Sequence, residues 1–363
     1  MSLLQKKEHH PTKVSDKLAF KSHQKLLLLF ACLLIFLILT FLLDIALGSV
    51  HIPLTEVVNI LLGKTASKST WTSIVWKFRL PKALTATFAG AALGVSGLQM
   101  QTLFKNPLAG PFVLGISSGA SLGVALVLLG ANLAGVGGFL ASWGMFADLG
   151  LVVAASLGAG LVLSLVLFVS RRVADTMTLL ILGLLFGYAT NALVSILLHF
   201  SDAQQSQAYL RWTFGSFAGV TWQQMPILAI TVTCGLLVAS LLSKPLNVLL
   251  VGESYAFTLG LNLQRTRFWI ITSASILAGV VTAFCGAIAF LGVAVPHLCR
   301  SLFHTHDHRV LVPGVTLMGA ILALMADLLS GLPGNQLVLP LNSVTALIGT
   351  PVVAGVILRR YYQ

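Results

Sequence analysis

The sequence predicts an all-α, polytopic integral membrane protein of about ten transmembrane helices, and three observations predict it. Hydrophobic residues make up 57% of the 363-residue chain and charged residues 9%, where soluble domains carry roughly a quarter of charged residues. Apolar runs approaching the roughly 20 residues that a helix needs to cross a bilayer recur along the whole chain. The basic residues are also distributed unevenly about those runs. With the N-terminus inside, sixteen of the 22 lysines and arginines fall in inner segments and six (Lys64, Lys68, Lys77, Arg79, Lys82 and Arg211) in outer ones, the asymmetry that sets orientation in membrane proteins.

Residues 1–25 read as a basic cytoplasmic tail and 26–363 as one transmembrane domain. The run Leu26–Leu43 is longer than the roughly 7–15 residues of a signal-peptide core, so it reads as a retained first helix despite the small residues of Ala46-Leu47-Gly48. Ile52–Leu62 reads as a short amphipathic outer helix with Pro53 at its first turn. Spans follow at 80–103 and 112–130, separated by a short polar turn. Pro107 and Pro111 each remove an amide donor there and push the preceding residue out of the α region. Gly90 and Gly94, and Gly115, Gly119 and Gly123, recur at intervals of four, giving smooth faces for close approach of neighbouring backbones. Later spans are placed at 147–169, 176–199, 225–242, 267–287, a shorter one at 288–303, 309–330 and 338–358. Gly286 and Gly292 interrupt the 267–303 stretch without themselves dividing it into two helices. On the outer side, Tyr209–Phe217 and Trp222 put aromatic residues at headgroup height. The longest inner connection apart from the tail, about 243–266, has Gly252 to end one short helix, Glu253 and Ser254 to start the next, and Tyr255, Phe257 and Leu259 partly exposed. Exposed apolar groups on such a loop imply a partner.

Several function classes are excluded or disfavoured. No Gly-x-x-x-x-Gly-Lys-Ser/Thr phosphate loop occurs, so nucleotide hydrolysis would require another polypeptide. The net charge of +12 is not organised as a basic stripe interleaved with aromatic residues, which argues against nucleic acid as a partner. Cys32, Cys234, Cys285 and Cys299 show no C-x-x-C spacing and read as inert thiols. His304, His306, Asp307 and His308 have alternate spacing that could suit a metal, but they sit in an inner connector and read as structural, with no metal site expected. Asp44 and Asp327 lie near the ends of hydrophobic runs, from which both can reach the interface or a helix terminus.

Phe104-Lys105-Asn106-Pro107-Leu108-Ala109 and Leu114-Gly115-Ile116-Ser117-Ser118-Gly119-Ala120 closely resemble the joined motif of permeases in the iron-siderophore, haem and cobalamin (FecCD-type) family of binding-protein-dependent ABC importers. Further matches occur in order over nearly the whole chain. They are Gly252-Glu253-x-x-Ala256-x-x-Leu259-Gly260, Pro296-His297-Leu298-x-Arg300, Asp307-His308-Arg309 and the closing Pro340–Pro351. The resemblance implies a type II ABC importer permease architecture in a bacterial inner membrane, working as a homodimer among membrane lipids. Two ATP-binding cassette ATPase subunits and a periplasmic or lipid-anchored solute-binding protein complete the machine. It also implies a metal chelate as cargo, a ferric siderophore first and haem or cobalamin next. The chain itself would be no enzyme and bind no cofactor, ATP and Mg belonging to the ATPase.

By residue, the resemblance gives Gly252, Glu253, Ala256 and Gly260 to ATPase coupling, and Arg79 and Lys82 to docking of the binding protein. Asn106, Leu108, Thr176 and Met177 are assigned to a cytoplasmic gate, and Ser117, Ser118, Asn342, Ser343 and Thr345 to the pathway wall. Two features depart from the family pattern. Lys82 stands where arginine is usual, and the last outer loop, Gly331–Gln336, has no basic residue. The alternative function, an ion-coupled secondary transporter, would need ionisable or ion-coordinating groups near the bilayer midplane. A membrane enzyme would need a nucleophile, acid and base gathered on identifiable spans. The sequence displays neither arrangement.

Overall fold

The computed structural model describes residues 13–129, 147–173, 175–331 and 338–361, which are helical or in short turns. The first part of the basic tail and nearly all of the loop Gly331–Gln336 lie outside the described residues. Among the described residues, six helices are long and apolar enough to cross a bilayer, three shorter apolar helices accompany them, and a pair bent by 48° adds one more. Each of the ten spans read from sequence therefore has a helix.

The boundaries shift in instructive ways. Helix α1 (Lys13–Ala46) starts well before the apolar run, because the Lys, Ala, Leu and Gln residues that precede it are good helix formers. A short α2 (Leu54–Leu61) follows, burying Val57 and Ile60. The second span does not begin at residue 80. It is continuous from α3 (Ser69–Ile74) through a π-helical turn, Val75–Arg79, into α4 (Leu80–Leu103). A 3-10 turn at Pro111–Leu114 leads into α5 (Ile116–Leu128), and Gly115 between them adopts a φ of +74°. Then come α6 (Ala147–Ser170), α7 (Thr176–His199), the outer helix α8 (Ala203–Thr213) and α9 (Met225–Leu241). The connection at 243–266 is two short helices, α10 (Ser243–Val251) and α11 (Glu253–Thr258). The 267–303 stretch, placed as two spans on the strength of the resemblance, does break, at residues 286–290, giving α12 (Leu263–Cys285) and α13 (Leu291–Phe303), and α14 (His308–Ser330) and α15 (Leu341–Tyr361) follow.

Helix α4 is the central column, with 20 of its 24 residues buried. It packs most extensively against α14, and also against α12 and α13. Its glycines explain how. A Cβ on Gly90 would lie 2.1 Å from the carbonyl oxygen of Gly319, and one on Gly97 would lie 1.6 Å from that of Gly292. Backbones meet there with no side chain between them, the route to dispersion contact that a bilayer favours. The same device joins α5 to α6, where Gly119 faces Gly158 and Gly123 faces Ala154. One apolar cluster surrounds α1, α4, α9, α13 and α14, and a second joins the last turn of α4 to α5, α6, α7, α10, α11 and α12. Leucines and isoleucines of α1, α6 and α7 face outward, as expected of helices bathed in lipid rather than water.

Candidate functional site

Polar groups gather at the two ends of the α4 column, one marked by Asp44 and the other by His308. At the Asp44 end, Arg79 donates from Nη1 to the carbonyls of Ile45 (2.7 Å) and Ala46 (2.8 Å) and from Nη2 to that of Val50. A guanidinium is thereby set on the electronegative C-terminus of α1. Lys82 Nζ pairs with Asp327 at 2.7 Å, and Asp44 lies within electrostatic reach of Asp327, Lys82 and Arg79. Asp44 and Asp327 are buried, at 6% and 4% exposure. Both lie in the last turns of their helices, α1 and α14, at the helix termini that the sequence allowed them, and they form the acid side of a cluster tying α1, α4 and α14 together. The two cations expected to face a binding protein therefore have partners inside the bundle, Lys82 keeping about a third of its side chain exposed (32%).

At the His308 end, the turn after α4 is held from behind. His297 Nε2 lies 2.8 Å from the Pro107 carbonyl; since a carbonyl only accepts, Nε2 carries the proton. Arg300 donates to Gln101 Oε1 at 2.7 Å, and Gln101 Nε2 donates to the Val293 carbonyl at 3.1 Å. Asn106 Oδ1 accepts the Leu108 amide at 2.9 Å, closing an Asx turn that leaves Leu108 exposed. Thr176 and Met177 open α7 behind Asp175, whose carboxylate accepts the amides of Met177 (3.3 Å) and Thr178 (2.8 Å) and the Thr178 hydroxyl (2.7 Å). These bonds, the Thr178 hydroxyl foremost, hold the Asp175 carboxyl below the usual carboxylate range, with Arg267 adding a smaller pull. The turn and α7 meet through the segment at Pro111–Leu114, where a Cβ on Gly183 would lie 2.7 Å from the Val113 carbonyl.

The histidine cluster is divided. His308 is buried, with Nδ1 donating to Asn247 Oδ1 at 2.7 Å and Nε2 2.8 Å from Thr102 Oγ1. His304 caps α13 in the left-handed region (φ +50°). Asp307 caps α14 by accepting the Arg309 amide at 2.9 Å, and with Asn247 also donating to it, its carboxyl is held low. These three residues thus have roles in joining helices.

The coupling segment is built on glycine. Gly252 (φ +138°) separates α10 from α11 and Gly260 (φ +80°) ends α11. No neighbour lies within 4 Å of a Cβ built on either. Ala256 is fully buried, while Phe257, Leu259 and Val251 are 72%, 60% and 66% exposed. Glu253 Oε2 pairs with Arg267 Nη2 at 2.7 Å, fastening α11 to α12. Because Arg267 also acts on Asp175, one guanidinium links the coupling segment to the cap of α7. Asn247, on α10, gives the segment a second attachment, through His308 to α14 and through Thr102 to α4.

Of the residues assigned to the pathway, Ser117 Oγ lies 3.1 Å from Thr282 Oγ1. Asn342 accepts the Ala289 amide at 3.0 Å and gives its own amide to Phe214 at 3.0 Å, tying α15 to two neighbouring turns. Thr345 is buried and bonds back to Asn342, whereas Ser343 is exposed and Ser118 half-buried. Sequence reasoning missed Gln101, Asn247 and Arg267 as organisers, while His297 lay in a motif already read as joining helices. Its available signal was amide side chains inside apolar helices, which need partners when buried.

Known proteins give this architecture its place. The model of the FecCD transport family matches residues 35–360. Vitamin B12 import system permease proteins BtuC of Salmonella paratyphi A and Salmonella typhimurium are each 39% identical over 293 residues, covering 78% of this chain and 83% of theirs. A solved inward-facing structure of a transporter assigned to the metal-chelate ABC type superposes with a TM-score of 0.78 at 26% identity, covering 91% of this chain and 99% of that one. The fold is that of type II ABC importer permeases, and the chain belongs to the FecCD transport family.

Proposed function

We propose that the chain is the membrane subunit of an ATP-driven importer that carries a metal chelate across the bacterial cytoplasmic membrane. In this reading it pairs with a second copy, two ATPase subunits and an external binding protein. The observation that carries the proposal is the α10–Gly252–α11 segment, whose exposed Phe257, Leu259 and Val251 have open space around their glycine hinges and whose Glu253 and Asn247 are fastened to the core. A knob of this kind takes a push from a partner and passes it to α12, α14 and the cap of α7, repositioning the Asn106–Leu108 and Thr176–Met177 turns as a gate. Motion of those turns would expose the polar wall of Ser117, Ser118 and Ser343 alternately to either side. ATP and Mg belong to the partner, and the chain's residues supply binding, transmission and gating.

For the cargo, the 39% identity to vitamin B12 permeases supports a corrinoid ahead of the ferric siderophore favoured by the motifs alone. The test is uptake into liposomes holding the chain, its cognate ATPase and its binding protein, with cyanocobalamin, a ferric siderophore and haem compared in parallel. Uptake of one chelate that needs both ATP and the binding protein is expected. Uptake driven by a proton or sodium gradient without ATP would overturn the reading in favour of a secondary transporter.

A further inference from the structure

A cavity of about 190 Å³ opens among α6, α8, α9 and α12, on the same end of the bundle as Asp44. Its polar lining is unusual in carrying donors and no acid. Arg211, in the last turn of α8, is the charged side chain on the wall and makes no hydrogen bond or ion pair with the described residues. Gln224 is 5% exposed; its Oε1 accepts the Thr221 amide at 3.2 Å, which leaves the NH2 group without a partner among the described residues. Ser216 Oγ accepts the Ala218 amide at 3.1 Å, leaving its hydroxyl hydrogen to donate elsewhere. The wall is fixed in place by backbone. Gly215 and Gly286 both have positive φ (+72° and +77°), a Cβ on Gly286 would fall 2.3 Å from the Trp212 carbonyl, and the Ser216 amide donates to Cys285 at 2.9 Å.

An exposed guanidinium and hydroxyl, of Arg211 and Ser216, and the amide of buried Gln224 line one small open space beside Trp212 and Phe284, and together they have the chemistry of an oxyanion receptor. We infer that this cavity is a binding subsite for a phosphate or carboxylate group. Its volume suits one tetrahedral oxyanion and the start of its linker, so it would take the anionic end of a larger molecule. A cation is disfavoured by Arg211, the charged side chain of the lining. Two sources share this chemistry, a soluble anion and the headgroup of an anionic lipid.

The experiment uses the full chain in nanodiscs of phosphatidylcholine. Pyrophosphate is titrated by calorimetry, and retention of added phosphatidylglycerol is measured by native mass spectrometry. At least one probe is expected to bind once per chain. R211Q should weaken that binding tenfold or more, and Q224E, which places an acid in the cavity, should abolish it. R211K should fall between wild type and R211Q, because lysine keeps the charge without the planar fork. Pyrophosphate binding would identify a soluble anion as the occupant, and retention of phosphatidylglycerol alone would identify a headgroup. Binding of neither probe, or binding indifferent to R211Q, R211K and Q224E, overturns the inference.

Discussion

Lys82 pairs with buried Asp327, which sits beside Asp44, while the neighbouring cation, Arg79, is committed to the carbonyls of α1. Replacing Lys82 by methionine leaves Asp327 and Asp44 without that neighbour. The loss should be roughly 2–3 kcal/mol, below the cost of breaking a fully buried pair because Lys82 is partly exposed. A lowered melting temperature of the purified protein would show it, and adding D327N should restore part of the loss, since the two side chains are coupled. A melt unchanged by K82M would mean that the ion pair contributes nothing to stability. Asp175 provides a pH test at the other end. Its folded pKa is depressed, so the cap it makes is complete above the unfolded value of about 3.9 and is lost as pH falls through the folded one. The extra hydrogen-exchange protection of Met177 and Thr178 over that in D175N should therefore be present at neutral pH and vanish in acid. A difference independent of pH would assign the protection to packing.

Helices in this protein are spaced by what their glycines lack. In an open helix, Gly→Ala gains up to about 1 kcal/mol of propensity, and Gly160, with no neighbour within 4 Å of its Cβ position, should show a neutral or slightly favourable G160A. At Gly97 the 1.6 Å clash with the Gly292 carbonyl requires backbones to separate, so G97A should lose about 2 kcal/mol or more despite the propensity gain. Equal melting temperatures for the two variants would show that α4 and α13 can part freely. For the coupling segment, F257A should leave the melt of the isolated chain unchanged, because the ring is 72% exposed. The same variant should lower ATPase co-purification and ATP-driven uptake several-fold. Full uptake by F257A would remove the ring from the partner interface.

Orientation belongs to the molecule as a whole. In a cysteine-free background, a cysteine at exposed Thr65 should react with a membrane-impermeant maleimide in intact cells and one at exposed Ser254 should react only after lysis. Reversal of that pattern would invert the topology inferred from charge. Most of the spans and their order were legible in the sequence because hydropathy and proline act locally, while the division of 267–303 rested on the resemblance. The motif from Asn106 to Ala120 and the glycine hinges of α11 were legible for the same reason. What stayed hidden depends on distance in the chain. Arg79 and Lys82 look like free surface cations until α1 and α14 arrive beside them, and His308, read as structural, shows its partners only when Asn247 and Thr102 meet both ring nitrogens. Sequence also began the second span too late, because Lys77 and Arg79 interrupt the apolar pattern while the backbone continues helical through a π turn.

The burial of α4 also bears on how such a chain can diversify. A column whose glycines touch foreign backbone, and whose ends are fastened at Asp327 and His308, tolerates almost no exchange of residues, since each change would displace α12, α13 or α14. Substitutions are accommodated instead on helices with open faces, α6, α7 and α15 among them, where an added side chain displaces no neighbouring backbone.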